Sequence, residues 1–257
     1  MLFLAITIIY IANFQNMHLS IKHKILLFLL LFISVANAYT QRKLELRFLN
    51  MAGDSVLKLG NSYANQFNET FTVRNFKYYV SHIQLKDKSG KLHNISDSYY
   101  LINEADTSSL KITLQYNMED ITSIRFLLGV DSIKNVSGVQ TGALDPAKGM
   151  FWTWNTGYIM AKLEGKSSAS KAPGNYFTYH IGGFKPKENV AKWIELPVQL
   201  PGKYYNTVYI KADALKWFKS VHDIMIAEKP VCHEPGKLAM LIADNYATMF
   251  SIADKKD

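Results

Sequence analysis

The chain reads as an all-β protein, an antiparallel β-sandwich of Greek-key or immunoglobulin-like type with a short C-terminal helix. Three observations predict this. Short segments in which apolar and polar residues alternate recur along most of the chain, each bounded by Asn, Asp, Ser or Gly. Apolar residues at helical spacing appear only near the end. Neither an internal repeat nor a linker divides the sequence, so it reads as one domain.

The N-terminus is read as an address. From Met17, Lys22, His23 and Lys24 form a basic region, Ile25 to Val35 an apolar one, and Ala36-Asn37-Ala38 a small-residue cleavage site. Residues 1–38 are therefore expected to be a secretory signal peptide with Met17 the true start; the alternative is a transmembrane hairpin that includes the apolar stretch before Met17. Residues 39–257 form the expected single β-sandwich domain, exported across the inner membrane to the periplasm or cell surface, with no span in the mature chain. After cleavage 27 basic residues face 21 acidic ones, scattered without a run, and nothing resembles a nucleic-acid footprint. Cys232 is the only cysteine, which excludes an internal disulfide and any cysteine-built zinc or iron-sulfur centre.

Along the mature chain, Leu44, Leu46 and Phe48 alternate with charged neighbours in a first strand that turns at Asn50 to Gly53. A long β-rich run containing Phe71, Val73 and Phe76 to Leu85 follows and turns at Asp87 to Gly90. Ser98 to Glu104, Ser109 to Tyr116 and Asp120 to Val130 supply three more strands. The polar, Gly-rich passage from Asp131 to Gly149 is long for a structureless connection, and loops of such length are commonly functional. It leads into GMFWTWNTGYI, Gly149 to Ile159, where an extended backbone sends Met150, Trp152 and Trp154 to one face. Next, NYFTYHIGGF separates Tyr176, Thr178 and His180 from Phe177, Tyr179 and Ile181. Val190 to Leu200 and Tyr205 to Phe218 complete the strands, the latter ending in a short helical turn at Trp217 and Phe218. Leu238, Leu241, Ile242 and Met249 then recur at helical spacing after Pro235.

The local signatures of hydrolases, P-loops and dinucleotide binding are absent, and the chain is read as a binding protein, not an enzyme. What remains is a sparse set of metal-ligand types: His82, His93, His180, His222 and His233 past the leader, with Met150 and Cys232. No two histidines have the spacing of a local chelate, so any site must be assembled from distant strands. His180 stands out, because Gly182 and Gly183 permit close approach just after it. A structural histidine and a ligand are both open there. His82 lies in a β run, as core or ligand, and position alone does not decide whether His222 and His233 meet solvent or a site. For Trp152 and Trp154, ordinary packing on an inner sheet face competes with an oxidised ring that gains ligand atoms indole lacks.

LGVDSIKNVSGVQTGALDPAKGMFWTWNTGYIMAKLEG, then YHIGGF, then PGKLAMLIADNYATMF resemble the MbnP family, exported copper-binding proteins that include the methanobactin-associated members and the related MopE and CorA proteins. The resemblance spans about Lys43 to Ile252, and the Trp-x-Trp segment is its most specific part. It implies a β-sandwich binding one copper ion through histidine and a tryptophan oxidised to kynurenine by a partner, a di-haem cytochrome c peroxidase of the MauG and MbnH type. Carried onto this chain, Trp152 or Trp154 is the oxidised tryptophan and His180 the imidazole ligand. In the MopE and CorA branch a ligand histidine follows the kynurenine by two residues; counted from Trp152, that position here is Trp154. The resemblance therefore leaves the second imidazole to another strand, with His82 or His222 as donors, and Met150 as a weak thioether contact or core filler. The competing expectation is a metal-free β-sandwich interaction module of the cell envelope.

Overall fold

The alternation that predicts the first strand builds it: Leu44, Leu46 and Phe48 are buried in β1 (Arg42–Ala52), which a tight turn joins to β2 (Ser55–Val56). The computed structural model describes residues 41–153 and 157–253, so the predicted leader, its start at Met17 and Trp154 lie outside the described residues. After β3 (Ser62–Ala64) come the long β4 (Thr70–Asp87), β5 (Leu92–Asn103), β6 (Lys111–Tyr116) and β7 (Ile121–Leu128). The passage from Asp131 contains the short helix α1 (Ser132–Val136) and leads to the hairpin of β8 (Phe151–Thr153) and β9 (Gly157–Ser167). β10 (Tyr176–Gly182), β11 (Lys192–Leu200), β12 (Tyr205–Asp213) and β13 (Val231–Cys232) precede α2 (Lys237–Tyr246) and β14 (Phe250–Ala253).

Two sheets result. In one, β1 lies between β12 and β6, with β2 on its end and β14 beyond β12. In the other the order is β11-β7-β4-β9-β10-β13, with β3 and β5 also on β4. The sheets meet through aromatic side chains: Phe48 of β1 packs edge-on to Tyr78 and Phe126, and Phe250 of β14 touches the same two rings. Around them Phe71, Phe76, Phe177, Trp217 and Phe218 are fully withdrawn from water, each contributing about 1.5–3 kcal/mol relative to exposure.

The all-β class with a small helix near the C-terminus is what forms, with two departures from the predicted wiring. The pairing is mixed: β1 runs parallel to β12, and β10 parallel to β13. The helix also stops at Tyr246, and Phe250 to Ala253 returns as an edge strand antiparallel to β12, so Met249 belongs to the turn between them. The loop after Val130 is ordered by polar contacts. Asp131 caps α1 by accepting from the Ile133 and Lys134 N–H groups, and Asp145 accepts from the Ala147 N–H in a second turn. Beneath it, the Tyr79 and Tyr158 hydroxyls donate to the Ala143 and Leu144 carbonyls, so this passage covers the face of the larger sheet turned away from the smaller one.

Candidate metal centre

On β10 the predicted division of faces holds: Phe177, Tyr179 and Ile181 are fully buried, while Tyr176, Thr178 and His180 are only partly so. Cross-strand register then determines what stands beside His180. Across β9 its partner is Lys162, with Glu164 opposite Thr178 and diagonal to the imidazole. On the other side β13 pairs Val231 with Thr178 and Cys232 with Tyr179, and the next residue, His233, arrives level with His180. The two imidazoles stack, with ring centroids 4.6 Å apart and planes 30° apart.

The site has a polar floor. Glu164 Oε1 lies 2.5 Å from His180 Nε2, and its other oxygen accepts from Asn75 Nδ2 at 2.5 Å. A bulge in β4 between Val73 and Asn75 turns Asn75 toward Glu164. Gly165 is required next to it, because a Cβ there would enter the Thr72 carbonyl oxygen. The His180 hydrogen bond, helped by Asn75 and Lys162 and opposed by burial, pulls the Glu164 carboxyl down to about 2. Burial pushes the Lys162 ammonium below the usual lysine range, and this side chain donates to the Gly149 carbonyl at 2.6 Å. For His233, burial first and then the proximity of His180 depress the pKa, favouring the neutral imidazole that binds metals.

Trp152 reaches the end of the same strand. Its ring covers Gly182 so closely that a Cβ on that residue would sit 2.6 Å from Trp152 Cζ3. Met150, predicted to share its face, is fully buried and fills the core. Beside His233, a cleft of roughly 380 Å3 runs along Val231 to Ala239 to the start of α2.

The other predicted ligands stand in clusters of their own. His82 occupies the bulge of β4 with φ 49°, a conformation uncommon for a residue with a Cβ. Its Nε2 lies 3.0 Å from Asp131 Oδ2, its Nδ1 3.6 Å from Asp97, and the Tyr99 hydroxyl donates to the same Asp131 oxygen. Burial raises the Asp131 carboxyl, but the Tyr99 and His82 hydrogen bonds outweigh it and leave it lowered. His82 thus secures the residue that caps α1. His222 lies 3.1 Å from Asp244, which also takes Lys192 at 2.6 Å. His93 closes its hairpin on Asp87 at 2.6 Å. Cys232 is buried, and desolvation lifts its thiol to about 11, the state of an unreactive packing residue.

In the sequence His233 is open between solvent and a site, and nothing local singles it out. In the structure Cys232 is buried between exposed neighbours on β13, which turns His233 to the outer face. Among the described residues no three His, Cys, Asp or Glu converge as a complete metal-binding group. The histidine pair, with Glu164 already committed, is a partial donor set.

The fold is an all-β frame that aligns two imidazoles across neighbouring strands, with a tryptophan over the glycine that ends one of them. A family model, MbnP, matches residues 41–234, and the chain belongs to the MbnP family. Among solved structures, MbnP from Methylosinus trichosporium is similar at 14% identity, over 72% of this chain and 80% of that chain, with a TM-score of 0.49. No curated protein matches.

Proposed function

We propose that this is an exported copper-binding protein whose ion is held by His180, His233 and an oxidised tryptophan of the Trp-x-Trp segment. The observation that carries the reading is the stacked His180 and His233 pair at 4.6 Å on β10 and β13, with Trp152 over Gly182 at the end of β10. Two imidazoles suit copper and leave its coordination incomplete. Kynurenine would add an aryl amine and a ketone where indole offers neither. His233 replaces His82 and His222 as the second imidazole, because it stacks on His180, whereas those two stand in separate clusters with Asp131 and Asp244.

The oxidation is assigned to a separate di-haem peroxidase, since a haem partner supplies redox chemistry that these side chains lack. Two hydrogen peroxides give one oxygen atom each to the indole and leave as two waters. The C2–C3 bond opens to N-formylkynurenine, and hydrolysis releases formate. The protein itself binds and is modified, without catalysing a reaction, in the periplasm or at the cell surface. Among the described residues no helix is long and apolar enough to cross a membrane.

Intact mass and metal content of the mature protein test the proposal. The expected result is a mass shifted by one Trp-to-kynurenine conversion and about one copper per chain, both lost without the peroxidase. Unmodified tryptophan in copper-free protein from copper-replete cells would support the second reading, a metal-free interaction module. That reading draws on the exposed Ile133, Val136 and Val139 at 77%, 65% and 76%, an apolar surface of the kind partners cover.

A further inference from the structure

We infer that Glu164 is a positioning residue that determines which nitrogen of His180 meets the metal: it engages Nε2 and leaves Nδ1 as the ligand atom. The inference rests on the copper reading above and concerns only how this chain prepares its imidazole.

The argument is one of donors and acceptors. An ionised carboxylate can only accept, so the His180 nitrogen 2.5 Å from Glu164 Oε1 must carry its proton. In the neutral form that a metal takes, the ring has one N–H and one lone pair, which places the lone pair on Nδ1. Glu164 cannot rotate away cheaply, because Oε2 is held by the Asn75 amide from β4 and Lys162 stands 3.9 Å from Oε1. Three adjacent strands, β4, β9 and β10, thereby determine one tautomer. Stacking of His233 fits the same arrangement, since ring faces meet while the in-plane lone pairs remain unspent. A carboxylate that holds the far nitrogen of a metal-bound histidine orients the ring and makes it more basic, and losing such a partner costs roughly 10–100-fold in metal affinity.

The test uses the mature chain labelled with nitrogen-15 and long-range correlation spectra of its histidines, before and after adding cuprous or silver ion. In metal-free protein His180 is expected as the Nε2–H tautomer, and the Nδ1–H tautomer would overturn the inference. On addition of metal, the Nδ1 resonance of His180 should move while Nε2 keeps its proton. Movement at Nε2 instead sinks the inference and leaves the copper reading intact. If neither nitrogen of His180 responds, the copper reading fails and this inference with it. Glu164→Ala should scramble the tautomer and weaken metal binding roughly 10–100-fold, whereas Glu164→Gln, whose carbonyl accepts the same hydrogen bond, should restore most of both. An alanine variant that folds with its tautomer and affinity unchanged also refutes the assignment.

Discussion

Replacing Glu164 with Gln should remove an acid sensitivity whose size follows from the floor of the site. In the folded, metal-free protein the carboxyl is lowered from 4.5 to about 2, mainly by the hydrogen bond from His180. A folded-state pKa below the unfolded one means that the stabilisation is complete above about pH 5 and disappears as the pH falls through the folded value. At about 1.4 kcal/mol per tenfold, the full change is worth about 3 kcal/mol. Glutamine keeps the shape and cannot ionise. Urea unfolding followed by tryptophan fluorescence, with Trp217 buried in the core as reporter, should show the carboxylate's contribution to wild-type stability minus Glu164→Gln stability at full size at pH 5. It should then decline by about 3 kcal/mol toward pH 2. A difference that stays level between pH 5 and 2 would show that the carboxylate is not held as described.

Gly182→Ala places a methyl 2.6 Å from Trp152 Cζ3 and 2.8 Å from the Tyr158 carbonyl, so both the indole and the β9 backbone must shift, read as a changed Trp emission spectrum, weaker copper binding and a lowered melting temperature. Asn135→Ala removes the side chain that donates to the Val130 carbonyl and accepts from the Tyr158 N–H; leaving such buried groups unpaired should cost about 1–3 kcal/mol by urea titration. His233→Ala should abolish copper retention in equilibrium dialysis, whereas His82→Ala should leave it unchanged and lower only the melting temperature, because His82 braces Asp131 at the start of the covering loop.

The strands were legible wherever one face is core and the other is not, as in β1 and β10, because burial on one side imposes a period of two. Shorter pieces were not. Phe250 to Ala253 has four residues, too few to show a period against the helix before it, and what separates them is a single turn at Ala247 to Met249. The parallel pairing of β1 with β12 joins residues far apart in sequence and leaves no local mark. At the proposed site, His180 drew attention through the glycines that follow it, and Trp152 through the family resemblance. His233 needed the structure, since only two residues of β13 pair with β10 and bring it into place. Glu164 and Asn75 were hidden for another reason: their roles arise from a bulge and a diagonal across three strands, geometry that alternation does not encode. His82 and His222 were chosen as histidines able to reach a site, and each proved to have a carboxylate neighbour closer at hand.

β13 is two residues long and forms the outer edge of its sheet. An edge attached by so few ladder bonds can detach and reattach without disturbing the β4-β9-β10 platform, since opening energies within one protein range from near zero up to that of global unfolding. One imidazole therefore stands on a strand paired along both of its edges, and the other just beyond a margin held by two residues.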